Sequence, residues 1–360
     1  MAHLFDTFTL RDLTLRNRIA VPAMCQYSAR DGLSGDWHFA HYGARAVGGA
    51  ALIVSEAIAV VPDGRISSAD LGLWDDGQIE ALARVVRFAL DQGCPMAAQL
   101  AHAGRKASVR RGWEAPAALP RDQGGWPLTA PSPIAFSDAY PKPAELDAAG
   151  IAAIVERFAD AARRARDAGF SAVEIHAAHG YLLHQFLSPL ANRRADDYGG
   201  SFANRTRLLI EVVDAVRAVW PDRLPLIARL SATDWVDGGW TPEETVAVCR
   251  VLKTRGVDLI DVSSGGIVPD AKIPAGPGFQ IGFAEQVRRE ADIPSAAVGL
   301  ITAPEQADRV VRGGQADMVL IGREILRNPY WPMTAARELG HAAAWPAQYL
   351  CAAPAGAKMR

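Results

Sequence analysis

Residues Asp147–Tyr181 read DAAGIAAIVERFADAARRARDAGFSAVEIHAAHGY. Ile151, Ile154, Val155, Phe158 and Ala162 recur at helical spacing, arginines fall opposite them, and Gly169 supplies a stop. A run of strand length, Ala172–Ala177, follows at once. The same alternation extends in both directions. Runs rich in valine, isoleucine, leucine and alanine lie upstream at Ile19–Met24, Ala51–Ala57 and Met96–Ala101. Others lie downstream at Leu226–Ser231, Leu259–Ser263, Ser295–Leu300 and Met318–Gly322. Apolar runs of this kind suit strands buried on both faces. Thr241-Pro242-Glu243-Glu244 offers an N-cap, a first-turn proline and a capping-box glutamate. Thr302-Ala303-Pro304-Glu305 repeats that logic before Gly313-Gly314. Eight strand-then-helix units predict the α/β class and a single (β/α)8 TIM barrel over residues 1–345. Residues 346–360 read as a C-terminal tail, either at a protomer interface or loose.

Two connections are too long to be simple turns. His102–Asp147 follows the third expected strand and Gly180–Asn204 the fourth. Long insertions are commonly lids, binding loops or interfaces, and both sit at the carboxyl face, where barrel enzymes keep their active sites. The rest of the composition narrows the function. The chain has 360 residues, 49% hydrophobic and 22% charged, an ordinary globular balance. Lysine plus arginine is 38 against 40 aspartate plus glutamate, a net charge of −2 that gives no reason to expect nucleic acid or an anionic membrane as partner. Cys25, Cys94, Cys249 and Cys351 form no C-x-x-C pair, which argues against a disulfide framework, a zinc site or an iron–sulfur cluster. No basic-plus-apolar leader opens the chain and no apolar run approaches the ~20 residues of a membrane span. A cytoplasmic protein is expected.

The sharpest chemical cluster is Glu174-Ile175-His176-Ala177-Ala178-His179-Gly180-Tyr181. A continuing strand would send His176 and His179 to opposite faces; a strand that stops near Gly180 lets both imidazoles converge at the barrel mouth. Two imidazoles can donate to one oxygen, and removing one donor to a developing oxyanion costs about 2.7–4 kcal/mol. Tyr181 is protonated at neutral pH and can act as a proton donor. A purely structural histidine pair beside a rim tyrosine is the alternative. So is an H-x-x-H metal pair, although a carboxylate set to complete it is not evident. Cys25 and Tyr27 stand at the end of the first strand; a lone cysteine there is most often a small hydrophobe. Gly299, Gly322 and Arg323 end the last two strands, where glycines let backbone N–H groups approach a phosphate. Gln99 and Arg229 lie on the third and fifth strands. A charged arginine inside a barrel is costly unless it is paired or faces a ligand.

These residues, in this order, resemble the old yellow enzyme family of flavin-dependent ene-reductases, and within it the cysteine-containing bacterial branch that includes xenobiotic reductases. Pro22-Ala23-Met24-Cys25-Gln26-Tyr27-Ser28, His176-Ala177-Ala178-His179-Gly180-Tyr181 and Asp196-Asp197-Tyr198-Gly199-Gly200-Ser201 with Asn204-Arg205 carry the likeness. Gln99–Lys106 supports it, and it spans roughly His3 to Gly340. The resemblance implies FMN as cofactor and NADPH or NADH as reductant. It implies that Pro22, Ala23, Met24 and Cys25 line the isoalloxazine and that Ala57, Gln99 and Arg229 meet its polar edge. Gly299, Gly322 and Arg323 would hold the phosphate. His176 and His179 would bind the carbonyl of an activated alkene, Tyr27 would touch the substrate and Tyr181 would protonate it, with no metal involved. A metal-dependent hydrolase or lyase using His176 and His179 as ligands is the rival. A homodimer or homotetramer is expected. Two departures stand out: Val298 occupies a position where some relatives carry tryptophan, which predicts a roomier pocket. Leu350 and Cys351 follow Gln348-Tyr349 where several relatives place an arginine that reaches the neighbouring protomer.

Overall fold

The computed structural model describes residues 2–114, 117–354 and 357–359. Eight strands form the centre: β1 (Ile19–Val21), β2 (Leu52–Ala59), β3 (Met96–Ala101), β4 (Ala172–Ala177), β5 (Leu226–Ser231), β6 (Leu259–Ser263), β7 (Ser295–Ala297) and β8 (Met318–Leu320). Each pairs in parallel with its sequence neighbours, and β8 pairs with β1, so the sheet closes. The (β/α)8 expectation holds. Helices α1 (Asp36–Val47), α2 (Ile79–Asp91), α3 (Ala148–Asp167), α4 (Leu182–Leu187), α5 (Phe202–Val219), α6 (Pro242–Thr254), α7 (Ile281–Glu290), α8 (Pro304–Arg312), α9 (Arg323–Arg327) and α10 (Trp331–Glu338) complete the chain order. Among the described residues no helix is long and apolar enough to cross a membrane.

Local sequence explains the boundaries. Asp147 caps α3 by accepting from the Gly150 N–H at 2.7 Å. Thr241 and Glu244 close a reciprocal capping box on α6. The parallel expectation for Thr302 is wrong by one residue: Ala303 is the N-cap of α8 and makes no side-chain cap bond. A proline at the first helical position fixes the cap as the residue before it, which is Thr241 ahead of Pro242 but Ala303 ahead of Pro304. Three strands are also shorter than their apolar runs. Pro22 has no N–H to extend β1, Gly299 leaves extended geometry after β7 at φ +125°, and Gly322 caps α9 after β8.

The strands alternate more than their composition suggests. Outward side chains such as Ile53, Val173, Ile175 and Val262 meet the helices in one large core that includes Phe158 and Leu209. Inside the barrel, Ala20, Val54, Ala97, Ile227, Leu259 and Met318 fill the amino end, plugged by Leu10 and Leu15 of the hairpin Phe8–Leu10 with Leu13–Leu15. That leaves polar side chains at the carboxyl end. The insertion after β3 includes a short parallel pair, Thr129–Ala130 with Ala144–Glu145. In the tail, Ala344–Trp345 pairs with Lys358–Met359, while 355, 356 and 360 lie outside the described residues.

Candidate active site

Strand register assembles a buried polar layer above the apolar plug. Ala57 pairs with Gln99, and Gln99 with Glu174. His176 pairs with Arg229, and Arg229 with Asp261. Gln99 Nε2 donates to Glu174 Oε1 at 2.7 Å, and Arg229 Nε lies 3.0 Å from Asp261 Oδ2. Gln99, Glu174 and Asp261 are each only 1% exposed. Burial, reinforced by Asp261, pushes the Glu174 carboxyl up to about 8, and burial also raises Asp261. One arginine therefore faces two carboxyls in a dry layer. Deleting one partner of such a pair costs about 3–5 kcal/mol, because the other charge is left buried and alone. Among the described residues Glu174 Oε2 has no hydrogen-bond partner, so the layer retains unused acceptor capacity.

Beside this layer opens a cavity of about 380 Å³, within the range of small-molecule sites. Pro22, Ala23, Met24 and Arg229 line it together with Gly299, Gly322 and Arg323. Gly299 is required by its backbone: φ is +125°, and a Cβ there would come within 3.0 Å of Gln280 Nε2 and 3.1 Å of the Phe279 ring, both of which also line the cavity. Arg323 has no ion-pair partner among the described residues, whereas its neighbour Arg327 is paired with Glu324 at 2.6 Å. Glycines beside an arginine that is unpaired among the described residues suit a phosphate, and a second arginine, Arg229, suits a polar ring edge. FMN has both.

The remaining sequence candidates gather at the mouth. The His176 ring centroid lies 5.2 Å from that of His179 and 5.1 Å from that of Tyr181. Cys25, Tyr27 and Tyr181 pack with Ala57, Ala101 and Ala103. Strand β4 has already ended at Ala177, and His179 and Gly180 turn the chain at φ +59° and +74°. That turn is why two residues three apart share one face. His176 Nδ1 accepts from the Ala178 N–H at 3.3 Å, so a neutral ring carries its proton on Nε2. His179 Nε2 lies 2.7 Å from Ser263 Oγ, which leaves its Nδ1 as the nitrogen able to meet a shared oxygen. Burial, then Arg229, holds both imidazoles well below their ordinary range, so they are neutral donors. Burial raises Tyr181, Tyr27 and Cys25, keeping phenols and thiol protonated. A thiol so raised is not an activated nucleophile.

Sequence reasoning passed over several partners. Asp261 compensates Arg229, Ser263 engages His179, and Lys106 Nζ donates to the His179 carbonyl at 2.8 Å. Burial, then Arg105, brings Lys106 down to about 8. Asp261 was findable in principle, as a lone carboxylate within an apolar run one strand after Arg229. Ser263 and Lys106 carry no such signal, since their roles depend on register and on the course of a loop. Among the described residues, no group of three or more histidine, cysteine, aspartate or glutamate side chains could hold a metal ion.

A model of the NADH:flavin oxidoreductase / NADH oxidase family matches residues 3–341. The chain belongs to that family. It is 50% identical over 348 residues to the NADPH dehydrogenase of Geobacillus thermodenitrificans (strain NG80-2), covering 96% of this chain and 97% of the relative. Morphinone reductase in complex with tetrahydroNAD superposes with a TM-score of 0.79 at 29% identity, covering 96% of this chain and 93% of that one. The old yellow enzyme homologue from Zymomonas mobilis gives 0.78 at 26% identity, covering 95% and 94%. Membership makes this an FMN-dependent, NAD(P)H-consuming oxidoreductase of the old yellow enzyme type.

Proposed function

We propose that this flavin oxidoreductase is an ene-reductase, reducing the C=C bond of α,β-unsaturated carbonyl compounds and related activated alkenes. The observation that carries the proposal is the His176 ring in contact with both the His179 imidazole and the Tyr181 phenol, beside a cavity whose glycines and arginines suit a flavin phosphate and ring edge. Pro22, Ala23, Met24 and Cys25 would line the ring system, Ala57, Gln99 and Arg229 its polar edge, and Gly299, Gly322 and Arg323 the phosphate. Bound there, FMN supplies two-electron chemistry, accepting hydride from NADPH or NADH and returning it to the alkene.

The protein's own residues do the rest. His176 and His179 bind the substrate's carbonyl oxygen and offset the negative charge that grows on it as the β-carbon is reduced; each such donor is worth about 2.7–4 kcal/mol. Tyr181 holds a proton on its hydroxyl and delivers it to the α-carbon, a role worth about 10²–10⁴ in rate. Tyr27 packs against the substrate from the rim, and Cys25 stays a thiol beside the ring. Nicotinamide and alkene use one mouth in turn, which requires ping-pong kinetics. The test is product analysis under anaerobic conditions with NADPH and 2-cyclohexenone. Stoichiometric cyclohexanone with parallel double-reciprocal plots is expected. NADPH oxidation that proceeds only with oxygen and yields no cyclohexanone refutes the proposal.

A further inference from the structure

The turn at His179-Gly180 is strained and fully held. His179 is a non-glycine residue at φ +59°, a conformation that persists only where surroundings fix it. A Cβ on Gly180 would sit 2.0 Å from the Gly266 carbonyl oxygen, so no other residue fits there. Four side chains take the turn's four backbone polar groups. The His179 N–H donates to Ser231 Oγ at 2.9 Å, and Lys106 Nζ donates to the His179 carbonyl at 2.8 Å. Gln185 Nε2 donates to the Gly180 carbonyl at 2.7 Å, and the Gly180 N–H donates to His184 Nδ1 at 2.9 Å. The Lys106 ammonium can only donate, and Ser231 and Gln185 are each held by a second bond, Ser231 Oγ donating to the Gly265 carbonyl and Gln185 Oε1 accepting from the Arg105 N–H. His184 has two tautomers, and only one can accept.

His184 is fully buried, with Nε2 3.0 Å from Asp234 Oδ1, and Asp234 is also fully buried. The other carboxylate oxygen, Oδ2, accepts from Ser188 Oγ at 2.6 Å and from the Trp240 N–H at 2.7 Å. Burial alone would raise Asp234, but His184, Ser188 and the Trp240 amide outweigh it and hold the carboxyl below its ordinary value. An ionised carboxylate facing Nε2 keeps the ring proton there and leaves Nδ1 free to accept. We infer that Asp234 and His184 form a positioning pair: Asp234 fixes the His184 tautomer, His184 fixes the Gly180 amide, and the turn thereby aims His179 and Tyr181 into the mouth. Neither residue is among those that line the cavity. The inference rests on the ene-reductase reading for what His179 and Tyr181 do, but not for how the turn is held.

Asp234→Asn is the informative variant, since it keeps shape and changes only donors and acceptors. A carboxamide that turns its NH2 to His184 forces the ring proton onto Nδ1, opposite the Gly180 N–H; one that turns its oxygen there sets NH2 against the Trp240 N–H. Either choice loosens the turn. A misplacement of order 1 Å costs about 10²-fold. Alkene reduction by the holoenzyme should therefore fall by about 10–100-fold, while FMN content and the flavin spectrum stay unchanged. The dissociation constant for a phenolic ligand such as p-hydroxybenzaldehyde, read from its perturbation of the flavin band, should rise together with that loss. His184→Gln offers an oxygen to the Gly180 N–H and an NH2 to Asp234, so it should recover most of what His184→Leu loses. Equal rates in Asp234→Asn and the parent, or no difference between His184→Gln and His184→Leu, overturn the inference. Should a variant fail to fold, 15N spectra of the histidines in the unmutated holoenzyme decide. A His184 proton on Nε2, with a coupling across the hydrogen bond from Nδ1 to the Gly180 amide, is expected; a proton on Nδ1 overturns it. Failure of the ene-reductase reading would appear separately, as no cyclohexanone from the parent enzyme whatever the state of His184.

Discussion

Tyr181→Phe separates the two half-reactions more cleanly than any other change at this site. Phenylalanine keeps the ring, so the contact with His176 at 5.1 Å and the Lys106 ammonium 5.1 Å over its face are retained. What goes is the hydroxyl, whose proton burial holds in place throughout the assay range. Removing a positioned general acid costs about 10²–10⁴ in rate, or about 2.7–5.4 kcal/mol at 1.36 kcal/mol per tenfold. That loss belongs wholly to the step in which the α-carbon gains its proton. Anaerobic stopped-flow measures each half-reaction by flavin absorbance: bleaching on mixing with NADPH, and recovery on mixing the reduced enzyme with 2-cyclohexenone. The recovery rate should fall by about 10²-fold or more with bleaching nearly unchanged. Equal losses in both phases would show that the ring or the turn had been disturbed, and no loss in either would remove Tyr181 as the donor.

Other outcomes follow from the same geometry. His176→Ala removes the Nε2–H donor, so binding of phenolic ligands read from the flavin spectrum should weaken by about 10²-fold; unchanged binding would rule out a carbonyl clamp. Glu174 titrates near 8 in the folded chain against an ordinary 4.5, raised first by burial and then by Asp261. A raised pKa gives stability that is complete below the unfolded value and lost as pH climbs through the folded one. The apoprotein's Tm should therefore decline between about pH 5 and pH 8, and Glu174→Gln should flatten that decline; an unaltered pH profile would contradict it. Val298 lines the cavity that would take FMN, so Val298→Trp should lower the FMN occupancy of the purified protein, read from the ratio of visible to 280 nm absorbance, and unchanged occupancy would show that this wall does not limit the flavin.

How legible this was in the chain depended on the range of the interaction concerned. The barrel could be read because helix stops such as Gly169 and short apolar runs are local signals. The His176, His179 and Tyr181 cluster was legible for the same reason, being contained in six consecutive residues. Its partners were not. Ser263 lies 84 residues from His179, and only strand register brings it there; Asp261 stood out as a lone carboxylate, but its place beside Arg229 is likewise decided by register. The apolar runs also concealed an alternation: Glu174 and His176 face inward while Val173 and Ile175 face the helices, so the carboxyl end of the interior is polar where composition suggested oil. The misplaced cap at Thr302 is a smaller instance, where the proline outweighed the hydroxyl.

The most direct test of an FMN-dependent ene-reductase is a single visible-spectrum titration of the purified holoenzyme. Under anaerobic conditions NADPH should bleach the yellow flavin band, and 2-cyclohexenone added afterwards should restore it, one equivalent for one. A colourless protein that FMN cannot reconstitute, or a bleached flavin that cyclohexenone leaves bleached while oxygen recolours it, would contradict the account.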